Sequence, residues 1–204
     1  MKLKTSSATR VLHKDPVLKK AIKGLDPLSL PGAGNVFNEL VKAIAYQQIS
    51  YKAADTIFGR FVNLLGSENY TPKKLLAVSF DEMRAIGFSK QKANYSHNIA
   101  RYFKENKLYK TDWSNYSDKE IMDMLTTIKG VGEWTAEMVM LFELMRPDIF
   151  PAKDLAIQQS MMTLYGFELE KKALLSKMKE IAEAWRPHRS LATLYLWSWK
   201  RANP

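Results

Sequence analysis

The 204 residues include 31 lysines and arginines against 21 aspartates and glutamates, which gives a formal net charge of +10. Cysteine is absent, and this excludes disulfides, thiolate metal sites, iron–sulfur clusters and cysteine nucleophiles. Because the sequence contains no run of about 18 apolar residues, we expect no membrane contact, and the basic N-terminus lacks the apolar core of a secretory signal. Such a charge favours a polyanion, commonly nucleic acid, although a basic surface also serves solubility.

Helical periodicity begins at Asn35, which is predicted to cap a helix. The apolar residues of that helix share one face: Val36, Phe37, Leu40, Val41, Ile44 and Ala45. Further helices are predicted at about 51–65 (ended by Gly66), from Thr71-Pro72, and at 81–86, 89–104, 117–127, 133–145, 154–165, 170–184 and 190–201. Since no segment shows strand alternation between hairpin turns, we predict an all-α fold with short loops.

The sharpest local pattern is Leu125-Thr-Thr-Ile-Lys-Gly-Val-Gly-Glu-Trp-Thr-Ala136, where one predicted helix ends and another begins. Gly130 and Gly132 suit a tight turn because glycine tolerates positive φ and close backbone approach. The amides around Gly130, Gly132 and Glu133 would start a helix and so form an anion site, fitted to a phosphate, with Lys129 at its rim. By its glycines alone, the segment also fits a plain connection between two helices.

The whole string resembles the helix-hairpin-helix of the DNA glycosylase superfamily, in which the hairpin grips one DNA strand through backbone amides. This resemblance implies DNA contacts at Lys129, Gly130, Val131, Gly132 and Glu133. In that family an aspartate follows the hairpin at the N-terminus of a later helix. Asp154, in Phe150-Pro-Ala-Lys-Asp154-Leu-Ala, holds the matching place.

Three further segments carry the resemblance: Ala43-Ile-Ala-Tyr-Gln-Gln-Ile-Ser50, Gly87-Phe-Ser-Lys-Gln-Lys-Ala93 and Trp185-Arg-Pro-His-Arg-Ser190. The last resembles the C-terminal helix of the alkyl-purine branch, the 3-methyladenine DNA glycosylase II group. The resemblance implies a two-lobed, monomeric helix-hairpin-helix domain over 1–204 with its active site in the cleft between lobes. One lobe would span about 40–145, with the hairpin at 118–145, and the other 1–39 plus 146–204.

The resemblance gives Asp154 a catalytic role. A purine N-glycosidic bond breaks through an oxocarbenium-like transition state, and a carboxylate beside the anomeric carbon stabilises that charge or orients the attacking water. Judged alone, Asp154 is better explained as a helix N-cap. The competing carboxylates Glu133, Glu137, Glu143 and Asp148 are interpreted as solvated helix faces or a loop residue.

A base must leave the stack before chemistry reaches it, and the family receives it in an aromatic pocket. The residues that match this pocket are Trp134, Met138 and Trp197, and they would stack a cationic alkylated base. Without the family resemblance, the two tryptophans would be interpreted as ordinary core residues. Bifunctional relatives carry a nucleophilic lysine where this chain has Trp134, so strand cleavage is not expected.

The gap left by the flipped base would be filled by Gln48, with Gln47 as the alternative, and Ser50 would contact a phosphate. The other candidates for backbone contacts are Lys90, Lys92, Lys153, Arg186 and Arg189. Each of these, and either glutamine, is also explained as an ordinary surface residue.

No cofactor is expected. His13, His97 and His188 show no ligand spacing, which makes a transition-metal site improbable. By resemblance, the hairpin carbonyls of Thr126, Ile128 and Val131 would hold K⁺ or Na⁺.

The sequence therefore predicts a monofunctional DNA glycosylase acting on alkylated purines in duplex DNA that contains damaged bases. The alternatives are a glycosylase for ethenoadenine, hypoxanthine, uracil or an oxidised purine, and a non-catalytic DNA-binding module. The expected location is the cytoplasm, with the nucleoid in a prokaryote or the nucleus in a eukaryote.

Overall fold

A computed structural model describes residues 6–28, 35–169 and 171–204, and all regular secondary structure within these ranges is helical. The helices are α1 Ser6–Leu12, α2 Pro16–Ala21, α3 Val36–Tyr46, α4 Tyr51–Leu65, α5 Pro72–Leu76, α6 Phe80–Ala85, α7 Lys90–Glu105, α8 Asp118–Thr126, α9 Glu133–Phe142, α10 Leu155–Tyr165, α11 Lys171–Glu183 and α12 Arg189–Ala202. Two short 3₁₀ helices, Leu108–Lys110 and Trp113–Asn115, lie between α7 and α8. The predicted all-α fold is confirmed.

Local signals explain where several helices begin and end. Asn35 caps α3 by accepting a hydrogen bond from the Asn38 amide at 3.2 Å, as predicted. Thr71 caps α5 ahead of Pro72, and Gly66 ends α4 in the left-handed conformation that glycine adopts without strain. The apolar residues predicted on one face of α3 are all buried.

The structure also differs from the sequence-based expectation at two places. Helices α1 and α2 precede the first predicted helix, and both have apolar residues in the core, such as Leu12 and Leu18. The helix predicted at 133–145 ends at Phe142, because the Arg146 amide turns back to the Met140 carbonyl at 2.9 Å.

The chain divides into two compact units. Ala33–Val139 forms one, which we call the hairpin unit, and Met1–Gly32 with Met140–Pro204 forms the other, which we call the carboxylate unit. The core of the hairpin unit contains a group of packed aromatic rings, in which Phe61 lies edge-on to Tyr70 and beside Phe88, each pair with centroids 5.2 Å apart. Edge-to-face and tilted arrangements of this kind are the favoured aromatic geometries.

The core of the carboxylate unit draws on both ends of the chain. Leu12 and Leu18 from the N-terminal helices pack in one cluster with Met161, Trp185 and Leu196. Trp185 is fully buried in this cluster. Among the described residues, no helix is long and apolar enough to cross a membrane.

Candidate active site and DNA-binding residues

Asp154 lies at the N-cap of α10, with its carboxylate held by two donors. Its Oδ1 accepts a hydrogen bond from the Ile157 amide at 3.0 Å, and the Trp197 indole Nε1 donates to the same oxygen at 3.0 Å. The predicted capping geometry is confirmed. A negative charge is favoured at a helix N-terminus because the first amides and the helix dipole both point toward it. The side chain is half-buried, and its catalytic role stays a prediction.

The Trp197 indole is stacked against Phe142, which the sequence analysis had not singled out. The ring centroids are 5.7 Å apart with an interplanar angle of 11°. Phe142 lies in the last turn of α9, four residues after Met138 and eight after Trp134, so all three share one helical face. That spacing was the sequence signal that could have identified it.

The segment that leads to Asp154 is bound along the first turns of α12. Ser190 Oγ accepts from the Ile149 amide at 2.9 Å, and Thr193 Oγ1 donates to the Ile149 carbonyl at 3.3 Å. Both side chains are fully buried. Since the segment 146–149 has no helical hydrogen-bonding of its own, these side-chain contacts satisfy backbone groups that burial would otherwise leave costly.

Arg189, a predicted phosphate contact, binds Asp148 instead. Its Nε donates to Asp148 Oδ1 at 2.7 Å, its Nη2 donates to the Asp148 carbonyl oxygen at 2.9 Å, and the side chain is 16% exposed. Arg186 also pairs with Asp148, and its hydrogen bond to Glu183 lowers the pKa of that carboxyl. Asp148 is a loop residue, as predicted, and it is also an anchor for two arginines, which the sequence did not indicate.

Two other carboxylates are more buried than their sequence positions predicted. Glu137 and Glu143 were expected on solvated helix faces, yet they are only 9% and 7% exposed. Helical periodicity could not reveal the burial of Glu137, because α9 is apolar on most of its circumference. Glu143 lies just beyond the end of α9 at Phe142, so the helix predicted there was too long to place it correctly.

The hairpin turn at Lys129–Gly132 packs against α7. A Cβ at Gly130, where φ is +110°, would lie 2.3 Å from Tyr95 Cγ, so both the backbone conformation and the space require glycine. Asn98, one turn further along α7, donates to the Lys129 carbonyl at 3.2 Å. The side chain of Lys129 is exposed.

The amides of this turn are not equivalent. The Val131 amide donates to the Ile128 carbonyl at 2.9 Å inside the turn, so the predicted DNA contact through Val131 has no amide to offer in this conformation. No backbone carbonyl in the described part of the chain accepts from the amides of Gly130 or Gly132. Gly132 is exposed, and nothing lies within 4 Å of the position a Cβ would occupy there. Glu133, the first residue of α9, is also exposed.

The predicted alkali-metal site would use carbonyls at both sides of the turn. The Ile128 carbonyl already accepts one hydrogen bond, from Val131, and a carbonyl oxygen retains a second lone pair. The Ile128 carbonyl could therefore still accept an ion, and the ligand role of Thr126, Ile128 and Val131 stays a prediction, as does the ion itself. Groups of three or more acidic, histidine or cysteine side chains that could hold a metal do not occur among the described residues.

The connection from α3 to α4 holds the residues predicted to enter DNA. Gln48 is exposed and adopts a left-handed backbone with φ of 58°, a conformation uncommon outside glycine and often found at functional positions. Gln47, by contrast, donates through Nε2 to Thr135 Oγ1 at 3.4 Å. Ser50 caps α4 by accepting from the Ala53 amide at 3.4 Å, and its neighbour Ile49 is 39% exposed.

The remaining predicted site residues divide between the two units. Trp134 (41% exposed) and the half-buried Met138 belong to the hairpin unit, whereas Trp197 belongs to the carboxylate unit. Lys90 and Lys153 are exposed. Lys92 differs, since it donates to the Ala45 carbonyl at 2.8 Å, and burial lowers the pKa of its amine.

Comparisons with known proteins support the resemblance to DNA glycosylases that the sequence predicted. Residues 41–187 match the model of the HhH-GPD superfamily base excision DNA repair protein. A putative DNA-3-methyladenine glycosylase of Bacillus subtilis is 31% identical over 80% of this chain, and the match spans 58% of the length of that relative.

Two solved structures are similar over nearly the whole chain. A DNA-3-methyladenine glycosidase from Bacillus halodurans superposes with a TM-score of 0.84 at 32% identity, covering 98% of this chain and 91% of its own. A 3-methyladenine DNA glycosylase of Schizosaccharomyces pombe, in complex with abasic DNA, gives 0.81 at 31% identity, with 94% and 95% covered. These matches confirm the resemblance derived from the hairpin, Asp154 and the C-terminal helix. The chain belongs to the HhH-GPD superfamily of base excision DNA repair proteins.

Proposed function

We propose that the protein is a monofunctional DNA glycosylase that hydrolyses the N-glycosidic bond of alkylated purines, of the 3-methyladenine and 7-methylguanine type, in duplex DNA. The observation that carries this proposal is the Asp154 carboxylate, held at a helix N-cap by two donors to Oδ1 in a member of this superfamily. The names of the relatives support the alkylated base as substrate.

The proposed chemistry needs one carboxylate and a good leaving group. Rupture of the glycosidic bond leaves positive charge on the sugar, and Asp154 stabilises that charge and directs water to the anomeric carbon. An alkylated purine already carries positive charge on the base, so it departs without strong general acid catalysis. The base reaches the site after flipping from the duplex and stacks on aromatic rings, for which Trp134 and Trp197 stay the predicted candidates.

Monofunctional action follows from the residue at position 134. A bifunctional glycosylase needs an amine there to attack the sugar and form a Schiff base, and Trp134 has none. We therefore expect intact abasic strands as product. Reduction with borohydride should trap no covalent protein–DNA complex.

Duplex DNA is the proposed partner. The exposed Gly132 and Lys129, together with the net charge of +10, support binding of a phosphate at the hairpin. Because such contacts neutralise phosphates without reading bases, affinity should fall steeply with salt for damaged and undamaged DNA alike.

The deciding experiment incubates the protein with methylated duplex DNA and measures released bases by chromatography, with Asp154→Asn as the matched variant. The asparagine amide oxygen can still accept from Ile157 and Trp197, so the fold is kept and only the charge is lost. We expect wild type to release methylpurines and the variant to be slower by about 10²–10³-fold.

Each alternative gives a different result in that experiment. Release from ethenoadenine, hypoxanthine or uracil duplexes but not from methylated DNA would keep the reaction and change the lesion. Binding of damaged duplex without release of any base would replace the proposal with a non-catalytic DNA-binding module. Equal rates for wild type and Asp154→Asn would refute the role of the carboxylate.

A further inference from the structure

Trp197 carries a hydrogen bond that its predicted role in stacking the base does not require. Its Nε1 donates to Asp154 Oδ1 at 3.0 Å, beside the Ile157 amide, which donates to the same oxygen at 3.0 Å. We propose that Trp197 is the positioning residue for Asp154, and that its indole N–H sets the orientation of the carboxylate toward the sugar. This inference rests on the function proposed above.

A single capping bond does not orient a carboxylate. The terminal torsion of an aspartate side chain is broad, so the capping bond from the Ile157 amide does not by itself fix the orientation of the carboxylate. A second donor that approaches from another helix restricts the rotation, and hydrogen bonds to an ionised acceptor are stronger than neutral ones. Trp197 supplies that donor from α12, whereas Ile157 belongs to α10.

The donor is itself held in place. One face of the indole is stacked on Phe142, with centroids 5.7 Å apart and planes 11° apart. About two turns and one turn earlier on α12, Ser190 and Thr193 bind the amide and the carbonyl of Ile149, respectively. Helix α12 therefore binds both ends of the segment 149–154, and the same helix that carries the indole also holds the backbone that leads to the carboxylate.

The chain contains a matched pair that separates this role from packing. Asp15 caps α2, and Trp185 Nε1 donates to its Oδ2 at 2.9 Å, so the same two residue types make the same bond in the same unit. Trp185 is fully buried and is not among the predicted site residues. A substitution at Trp185 thus controls for the loss of an indole–carboxylate bond as such.

The first test removes the N–H and keeps the ring. β-(3-benzothienyl)alanine, incorporated site-specifically at position 197, replaces the N–H by sulfur with little change of shape, and Trp197→Phe serves as the simpler variant. We expect single-turnover release of methylpurines to slow by about tenfold or more in both. The dissociation constant for duplex DNA with a tetrahydrofuran abasic analogue should stay within about twofold of wild type, because a stacking ring is retained.

Substitution of Trp185 is the control for this test. Trp185→Phe should keep the wild-type rate per folded molecule. A wild-type rate for the benzothienyl protein would overturn the proposal, and so would a loss of DNA affinity that accounts for the whole decrease in rate.

A second test needs no turnover. In ¹H–¹⁵N spectra, the indole resonance of Trp197 (assigned by its loss in Trp197→Phe) should shift and exchange faster with solvent in Asp154→Ala, while that of Trp185 is unchanged. Asp15→Ala should do the reverse. An unmoved Trp197 resonance would refute the hydrogen bond. Because this readout is independent of base release, it judges the inference even if wild type releases no methylpurine and the proposed function fails.

Discussion

Asp15 and Asp154 each begin a helix of the carboxylate unit, and each accepts a hydrogen bond from a tryptophan indole. At Asp15 the carboxylate is saturated: Oδ1 accepts from the amides of Val17 and Leu18, and Oδ2 from Trp185 and the Tyr165 hydroxyl. At Asp154 the Ile157 amide and the Trp197 indole both donate to Oδ1.

The surroundings of the two aspartates differ more than their bonds do. Trp185 is fully buried, whereas Trp197 is only partly buried. The residue after Asp154, Leu155, is 67% exposed, so the chain beside this cap is open to solvent. The comparison teaches that the same arrangement, an aspartate N-cap with an indole donor, occurs once around a fully buried tryptophan and once around a partly buried one. We therefore expect only the more open pair, at Asp154, to meet a substrate.

Activity should separate the two aspartates most strongly. Asp154→Asn is expected to slow methylpurine release by about 10²–10³-fold, because the charge that stabilises the transition state is lost. Asp15→Asn should keep the wild-type rate per folded molecule. Single-turnover kinetics at a temperature where both variants are folded would measure this, and a comparable loss at Asp15 would break the comparison.

For stability we expect the opposite order, with the larger effect at Asp15 and the smaller at Asp154. Asp15→Ala removes a helix cap and leaves Trp185 and Tyr165 without their acceptor, so we expect the free energy of unfolding to fall by about 3 kcal/mol. Asp154→Ala, which loses a cap at a more open site, should cost about 1 kcal/mol. Urea denaturation followed by circular dichroism would test this difference, and equal losses would contradict it.

The two indoles should differ by a smaller amount. Trp185→Phe leaves a partly buried carboxylate short of one donor and creates a cavity, which should cost about 2 kcal/mol of stability. Trp197→Phe should cost less than about 1 kcal/mol, since solvent can replace the donor there. The same denaturation experiment measures both, and a larger loss for Trp197→Phe would show that its role is mainly structural.

The smallest expected effect is the loss of stability at alkaline pH, which tests the hydrogen bond between Tyr165 and Asp15. Burial, and then the hydrogen bond to Asp15, raise the pKa of Tyr165 far above the ordinary value of 10.0. Because the folded pKa is the higher one, this stabilisation is present below pH 10 and is lost as pH rises toward the folded pKa. Between pH 10 and 11, wild type should lose about 1 kcal/mol more stability than Tyr165→Phe. Tyr70, whose pKa burial also raises, affects both proteins equally.

Local features of the fold were well predicted from sequence. Asn35, Thr71-Pro72 and Gly66 mark helix ends through interactions within a few residues, and such signals are readable without tertiary information. The capping position of Asp154 and the glycine requirement at Gly130 belong to the same class.

Features that depend on distant partners could not be predicted. Arg189 was read as a phosphate contact because its carboxylate partner, Asp148, lies 41 residues away in sequence. The exposed Gln48 gave no sign of its left-handed backbone, and the stack of Phe142 on Trp197 joins two helices that only folding brings together. The family resemblance supplied Asp154 and Trp197 as candidates, whereas the bond between them required coordinates.

The division of the chain bears on the order in which the protein folds. Ala33–Val139 is continuous in sequence, so every residue of that unit has been synthesised before the second part of the other unit appears. The indoles of Trp185 and Trp197 reach back across 170 and 43 residues to their aspartates. Contacts of such long range form slowly because loop closure precedes any gain, so the hairpin unit should acquire structure on the ribosome while Asp154 still awaits α12.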